Sequence, residues 1–218
     1  MRLIRSAVLI LMISAAITPA AAHPHIWVTV SADITFNDQG LADGVNQSWT
    51  FDDKYTAYIL EGLDTNGDGV FSDDELKPVT QNNLAVLRDY NFFTALRAGN
   101  ALQEVSDATD YGQIYSNGKL EMHFHVPLKT PVDPRAGGLT LKIYDPDFFI
   151  DFEYAGEEPV TAIGAIPASC SIALKPAPTS AELDATRAML ATKGTDWKPE
   201  NGEDFGAMFA RPVLVTCP

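Results

Sequence analysis

The sequence predicts an α+β protein in which an antiparallel β-sheet or sandwich carries one inserted helix-loop-helix segment. Three observations support this fold class. Apolar and polar residues alternate over 25–36 and again over 120–128, which is the pattern of half-buried strands. The period lengthens to that of a helix over 52–98, and short strand-like segments separated by turn residues make up most of the remaining chain. We therefore expect a single α+β domain over residues 23–218, with its helical insertion at 52–98.

The first 22 residues have the pattern of a signal peptide. Arg2 and Arg5 precede an apolar run over 7–17, and the small residues at 20–22 provide a cleavage site. The run is too short for a comfortable transmembrane span, and the rest of the chain has no other long uncharged apolar stretch. The sequence thus predicts an exported protein that is not embedded in a membrane.

The charge of the chain is strongly negative. The formal net charge is −14, and loss of residues 1–22 with their two arginines would take it to about −16. Such a charge repels nucleic acid and anionic lipid and attracts cations. It indicates metal ions as partners and excludes nucleic acid, although a negative surface can also serve only to keep an exported protein in solution.

The first elements form a predicted hairpin followed by two helices. The alternating strand at 25–36 and a second strand ending near Phe51 are separated by the turn residues 37–40. Asp52 can cap a helix that reaches Leu60, and a second helix starts near Ser72. We expect this second helix to run to about residue 98, where a glycine follows.

The remainder of the chain is predicted to form mainly β-strands. An Asn117-Gly118 turn joins a strand over 111–115 to a strand over 120–128, whose face opposite the apolar series carries two histidines. Further strands are predicted at 139–144, 148–154, 170–174 and 212–217, with a short helix at 180–190 and a loop at 193–204.

The two cysteines, Cys170 and Cys217, predict one disulfide. An oxidising compartment would let them pair and join the C-terminal strand to an earlier one. The alternative is a thiolate metal site, but an exported pair without CxxC spacing favours the disulfide.

The segment DTNGDGVFSDDE between the two predicted helices has the ligand spacing of an EF-hand calcium loop. Calcium takes six to eight oxygen ligands, and Gly69 permits the sharp turn that wraps the loop around the ion. The alternative is a polar turn of similar composition. A lone loop in an exported protein would bind weakly, with a Kd of roughly 10⁻⁴ to 10⁻³ M, and would be structural. The predicted ligands are Asp64, Asn66, Asp68, the Val70 carbonyl, Ser72 and Glu75.

All four histidines fall into two HxH pairs, His23 with His25 and His123 with His125. Because side chains repeat every two residues along a strand, each pair projects both imidazoles from one face. Imidazole suits zinc, copper, nickel and cobalt, so four rings brought together would form a transition-metal site. The alternative is ordinary exposed strand histidines.

Two further features bear on this metal site. Pro24 has no N–H, so amide coordination of copper at a new N-terminus is excluded, and only the amine and the rings remain as donors. Carboxylates could supplement the rings, namely Glu121 on the same face and the cluster Asp145, Asp147 and Asp151. For that cluster the alternative is turn chemistry around a proline.

Four segments carry a resemblance to a known family: HPHIW after the signal peptide, WTFDDKY at 49–55, the acidic loop ending in Glu75, and YDPDFF at 144–149. Together they resemble the periplasmic proteins catalogued as domain-of-unknown-function family 1007, over most of the mature chain. The resemblance implies a bacterial periplasmic protein, a component of a transport system linked with nickel, cobalt or zinc transporters. It implies no biochemical mechanism.

Three functions are consistent with these patterns. The first is a periplasmic metal carrier or accessory of a membrane metal transporter, with a transition ion on the histidines and calcium stiffening the helical insertion. The second is a calcium-dependent protein-interaction module in which the histidines are incidental. The third is a metal-dependent enzyme with an open position for water, although the chain has no HExxH motif and no nucleophile elbow.

Overall fold

A computed structural model describes residues 24–156, 158–194, 197–200 and 203–218. His23 and the predicted signal peptide at 1–22 lie outside these residues. The described part contains both helices and antiparallel strand pairs, which confirms the α+β class. None of its helices combines the length and the apolar character that crossing a membrane requires.

The described residues form eleven strands and four α-helices. The strands are β1 (Ile26–Phe36), β2 (Ala42–Phe51), β3 (Thr94–Ala98), β4 (Ala101–Leu102), β5 (Thr109–Ser116), β6 (Lys119–Val132), β7 (Leu139–Ile143), β8 (Ile150–Tyr154), β9 (Val160–Gly164), β10 (Ser171–Leu174) and β11 (Val213–Thr216). The helices are α1 (Asp53–Leu60), α2 (Asp73–Leu87), α3 (Ala181–Leu190) and α4 (Phe205–Phe209).

The strands form two sheets. The larger has the order β5-β6-β2-β1-β8, and β9 pairs with β1 further along the edge that β8 occupies. The smaller has the order β10-β11-β7-β3-β4. Both β8 and β9 run parallel to β1, whereas all other pairs are antiparallel. The alternation of single strands could not predict these two parallel pairs, because it contains no information on strand direction.

One hydrophobic core joins the two sheets. In β1 and β6 of the larger sheet and in β7 and β11 of the smaller one, alternate apolar side chains point inward and are buried, while those between them are more exposed. Fully buried members from the larger sheet and the smaller sheet belong to the same cluster, among them Val30, Ile34, Trp49, Phe124, Leu96, Leu141 and Val213.

A buried glutamine links the sheets by hydrogen bonds. The Oε1 of Gln47 on β2 accepts from Trp49 Nε1 at 2.8 Å, and its Nε2 donates to Thr94 Oγ1 on β3 at 2.7 Å. The same Nε2 donates to the Phe92 carbonyl at 3.2 Å. Because each polar atom of the glutamine has a partner, its burial does not leave the desolvation cost of an unpaired amide.

Helices α1 and α2 begin where the sequence predicts, and α1 also ends at the predicted Leu60, whereas α2 ends earlier than predicted. Asp52 caps α1 by accepting from the N–H groups of Lys54 and Tyr55, and Ser72 precedes α2. The predicted extension of the second helix to residue 98 is wrong. A 3-10 turn over Arg88–Phe93 follows α2, and then the chain enters β3, because burying Leu96 against β7 requires an extended segment at that place.

The predicted disulfide between Cys170 and Cys217 is confirmed. The two residues lie at the open end of the β10–β11 pair, where Ser171 is opposite Thr216. The bond therefore ties the C-terminal strand to its neighbour at the edge of the smaller sheet.

Candidate functional site

The acidic loop 64–75 connects α1 to α2 and is held by its own side chains. Asp64 Oδ1 accepts from the N–H groups of Gly67 at 2.8 Å and Asp68 at 3.1 Å, and its Oδ2 accepts from Gly69 at 3.0 Å. Asn66 and Asp68 each accept from an N–H two residues ahead. The first carboxylate of the loop is thereby placed at its centre.

The last carboxylate of the loop turns back onto its start. Glu75 Oε1 accepts from the N–H and the hydroxyl of Thr65, at 2.8 and 2.9 Å, while Oε2 accepts from the N–H and the hydroxyl of Ser72, at 3.0 and 2.7 Å. These donors, first those of Ser72, lower the pKa of Glu75 to about 2. Glu75 is thus ionised at neutral pH, and its two oxygens tie the end of the loop to Thr65 near its start.

The flank of the loop is anchored to the larger sheet. The ring of Phe71 lies 5.2 Å, centroid to centroid, from that of Tyr115 on β5, and α2 packs on the same strand. These contacts hold one flank of the loop against β5. Across the described residues, no three His, Cys, Asp or Glu side chains already stand together at ligand spacing, so binding calcium would need side-chain rotations within the loop.

The second candidate site is a polar groove on the outer face of the larger sheet. His123 and His125 on β6 both face outward, as the sequence predicts, opposite Ser48 and Asn46 of β2. The groove has a volume of about 460 Å³ and is walled by Asp33, Thr35, Asn46, Ser48, Asp110, His123 and His125. We name it the histidine groove.

The two imidazoles lie over glycines of the strands on either side. A Cβ added to Gly112 on β5 would stand 2.8 Å from Cε1 of His123, and a Cβ added to Gly44 on β2 would overlap the ring of His125. The absence of these side chains lets each ring lie flat against its neighbouring strand. In this arrangement the rings lean apart, one toward β5 and the other toward β2.

Two carboxylates reach the groove from other strands. Asn46 is opposite both His125 on β6 and Asp33 on β1, so these three side chains form one row across the sheet. Asp110 lies at an irregularity of the β5–β6 pairing and has a φ of 46°, a conformation that is uncommon outside glycine. Sequence reasoning missed both carboxylates, because only strand register and the bulge bring them to the histidines.

The register separates the N-terminal histidine pair from this groove. His25 lies just before β1, where its N–H donates to the Phe149 carbonyl at 2.8 Å and its ring packs 4.7 Å from that of Phe149. β2 lies between β1 and β6, and Asp33 follows His25 by eight residues. At about 3.3 Å per residue, His25 is therefore roughly 26 Å from the row of His125. The structure therefore places His25 apart from His123 and His125, and His23 lies outside the described residues.

The supplementary carboxylates of the sequence prediction are also dispersed. Glu121 lies beside Ser116, whose hydroxyl is 3.4 Å away, and Asp151 forms an ion pair with Arg187 at 3.8 Å. Asp145 is only 4% exposed and accepts from the N–H groups of Asp147, Phe149 and Ile150. Desolvation by burial nevertheless raises the pKa of Asp145 to about 6. Asp145 thus organises the turn that precedes β8, which is the alternative considered for this cluster.

The fold and its sites define a two-sheet α+β protein with an acidic loop between two helices and a polar groove that holds two histidines. The chain belongs to the family described as "Protein of unknown function (DUF1007)", whose model matches residues 8–217. It is 31% identical over 115 residues, 53% of this chain and 81% of the relative, to an uncharacterized 15.5 kDa protein from the trpE 3' region of Spirochaeta aurantia. It is 22% identical over 197 residues, 90% of this chain and 91% of the relative, to an uncharacterized protein of Haemophilus influenzae.

Proposed function

We propose that this protein is a periplasmic metal-binding protein, a carrier or accessory of a membrane metal transporter. Calcium would occupy the loop 64–75 and stiffen the helical insertion, and a transition metal such as zinc, nickel, cobalt or copper would bind in the histidine groove. The observation that carries the proposal is the closed acidic loop, in which Asp64 and Glu75 are both drawn inward by backbone donors.

The fit of calcium to this loop rests on its donor set. Asp64, Asn66, Asp68 and Glu75 can supply side-chain oxygens, and Val70 can supply its carbonyl. No histidine or thiol lies in the loop, which favours a hard cation over a transition metal.

Calorimetric titration of the purified, chelator-treated protein with calcium tests this part of the proposal. We expect a Kd of roughly 10⁻⁴ to 10⁻³ M, and at least tenfold weaker binding for Glu75→Gln, because the bidentate ligand at the twelfth position is lost. Glu61→Gln is the matched control, since Glu61 is exposed, lies just before the loop and carries the same charge. Unchanged binding in Glu75→Gln would exclude calcium from this loop.

The transition-metal part rests on the two outward imidazoles and the nearby Asp33 and Asp110. Two imidazoles and a carboxylate form a ligand set that suits zinc or nickel, and the strongly acidic chain favours cation capture. His25 and the undescribed His23 would form a separate N-terminal donor pair.

Equilibrium dialysis against zinc, copper, nickel and cobalt tests the groove. We expect binding of at least one ion that is lost when His123 and His125 are both replaced by alanine and is kept in Lys129→Ala, an exposed position on the same strand. If the histidine variant binds all four ions as the unchanged protein does, the groove is not the site.

A calcium-dependent interaction module is a second candidate, and one observation favours it. Both helices that flank the acidic loop, α1 and α2, contribute walls to an aromatic cavity, so calcium could set the shape of that cavity. In this case, chelating calcium would abolish capture of a partner, whereas the His123 and His125 replacements would not affect it.

A further inference from the structure

An aromatic cavity of about 380 Å³ lies between α2, the C-terminal end of β2 and the turn before β8. Its volume is in the range of small-molecule pockets, about 300 to 1,000 Å³. Trp49, Phe51 and Tyr55 line it from one segment and residues of the turn at 145–149 from another, and the ring of His25 lies 4.7 Å from that of the wall residue Phe149. Neither metal site uses it.

Aromatic rings form about half of the cavity wall. Trp49 is buried and stacks on Phe93 at 6.1 Å, and Phe51 packs on Tyr55 at 4.7 Å. Aromatic faces carry negative electrostatic potential and attract cations as well as apolar groups. The rings that line the cavity include Phe51, Tyr55, Tyr90, Phe93, Phe149 and Trp197.

Two carboxylates also line the cavity, and they differ in their partners. Both carboxylate oxygens of Asp145 accept hydrogen bonds from three backbone N–H groups of its own turn. Asp147 is half-buried, and its side chain makes no hydrogen bond or ion pair with any of the residues that the structure describes. Lys198 lines the same cavity without an ion pair to either carboxylate. Asp147 is thus the acceptor that remains available to a ligand.

We propose that the aromatic cavity binds a small amphipathic amine, with its apolar or aromatic body between the rings and its ammonium group on Asp147. This assignment requires neither calcium nor a transition metal, so it can fail or succeed independently of the proposed function.

The cavity chemistry selects this ligand class over two others. An anionic ligand would meet two carboxylates, Asp145 and Asp147, against the single ammonium group of Lys198, in a chain of net charge −14. A bare metal ion would find one available carboxylate among apolar rings, which is too few ligands for calcium or zinc. An ammonium group satisfies the carboxylate and also gains from the ring faces.

Three probes of similar shape test the proposal on the full protein: 2-phenylethylamine, the neutral 2-phenylethanol and the anionic 3-phenylpropionate. Ligand-observed NMR and calorimetry should give the order amine, then alcohol, then acid, with about tenfold between the amine and the alcohol. Equal affinity of amine and alcohol, or no binding of the amine, would overturn the assignment.

Asp147→Asn is the sharpest variant, because it removes the charge and leaves the backbone N–H that Asp145 requires. We expect about tenfold weaker binding of 2-phenylethylamine and unchanged binding of 2-phenylethanol. Glu153→Gln on the exposed side of β8 loses the same charge and should bind as the unchanged protein does. An unaltered amine affinity in Asp147→Asn would show that the ammonium lies elsewhere.

A second pair of variants tests the cavity itself without touching a charge. Val86 is 62% exposed and lines the cavity from α2, whereas its neighbour Ala85 is exposed on the same helix and does not line it. Val86→Trp should weaken the amine and the alcohol together by fivefold or more, and Ala85→Trp should weaken neither. The proposal fails if both variants bind the amine equally well.

Discussion

The Nδ1 atom of His125 lies 2.7 Å from the Oδ1 atom of Asn46, its direct neighbour on β2. With the amide oxygen of Asn46 as the acceptor, Nδ1 of His125 carries the ring proton and Nε2 keeps its lone pair. An imidazole fixed in this way is prepared to donate Nε2 to a metal ion. The relationship gives the histidine groove an orientation that the HxH pattern alone does not contain.

Replacing Asn46 by alanine should therefore weaken binding of a transition metal in the groove. Loss of such an orienting partner usually costs about 10- to 100-fold in metal affinity. Thr50→Ala, two outward positions further along β2, is the control and should bind as the unchanged protein does. Competition with a chromophoric chelator measures both constants, and equal zinc affinity in the two variants would contradict the orienting role.

The buried Asp145 should make stability depend on pH between about 4 and 6. Burial raises its pKa from the ordinary value of 3.8 to about 6, so the folded state holds this proton more tightly than the unfolded state. The stabilisation is complete below pH 4 and is lost as the pH rises through 6, a change of about 3 kcal/mol.

Urea unfolding at several pH values checks this expectation against Asp145→Asn, which cannot titrate. The free energy of unfolding of the unchanged protein should fall relative to that of the variant as the pH rises from 4 to 7. The amide of the variant also loses acceptors for the turn, but that cost does not vary with pH. Parallel pH curves for the two proteins would mean that Asp145 titrates as an exposed aspartate does.

Removing the disulfide should destabilise the protein through its unfolded state. Cys170 and Cys217 are separated by 47 positions, and closing a loop of that length corresponds to about 4 kcal/mol in the chain-entropy account. Urea unfolding of the double variant Cys170→Ser/Cys217→Ser should show a loss of up to this size. A loss below about 0.5 kcal/mol would show that the bond constrains little.

Gln47 should be the most sensitive polar position in the core. Gln47→Leu leaves the buried Trp49 Nε1 without its acceptor and removes the hydrogen bonds to Thr94 and Phe92, which still bond to each other. We expect a loss of about 1 to 3 kcal/mol in the free energy of unfolding. Gln39→Leu, in the exposed turn between β1 and β2, should change it by less than about 0.5 kcal/mol. A small effect of Gln47→Leu would contradict the bridging role.

Local sequence patterns predicted much of the fold. Strict alternation of apolar and polar residues predicted β1 and β6 and the outward orientation of His123 and His125. This works because successive side chains of any extended backbone point to opposite faces. The cap at Asp52 and the Asn117-Gly118 turn were also predicted correctly, since helix caps and type I′ turns depend on the local residue types. The prediction of a helix over 94–98 was wrong, because burial of this segment between the sheets overrides its local helical pattern.

The sequence by itself singled out the residues proposed for metal binding, namely the acidic loop that ends in Glu75 and the two HxH pairs, and it predicted the disulfide between Cys170 and Cys217. Only the tertiary structure decided which of them meet. The register across β1, β2 and β6 places His25 far from His125 and brings Asp33 into the row of His125 instead. The turn at Asp145 forms an aromatic cavity together with α2. The physical reason is that sequence spacing fixes which face of a strand a side chain projects from, whereas its neighbours in space depend on how distant strands pair.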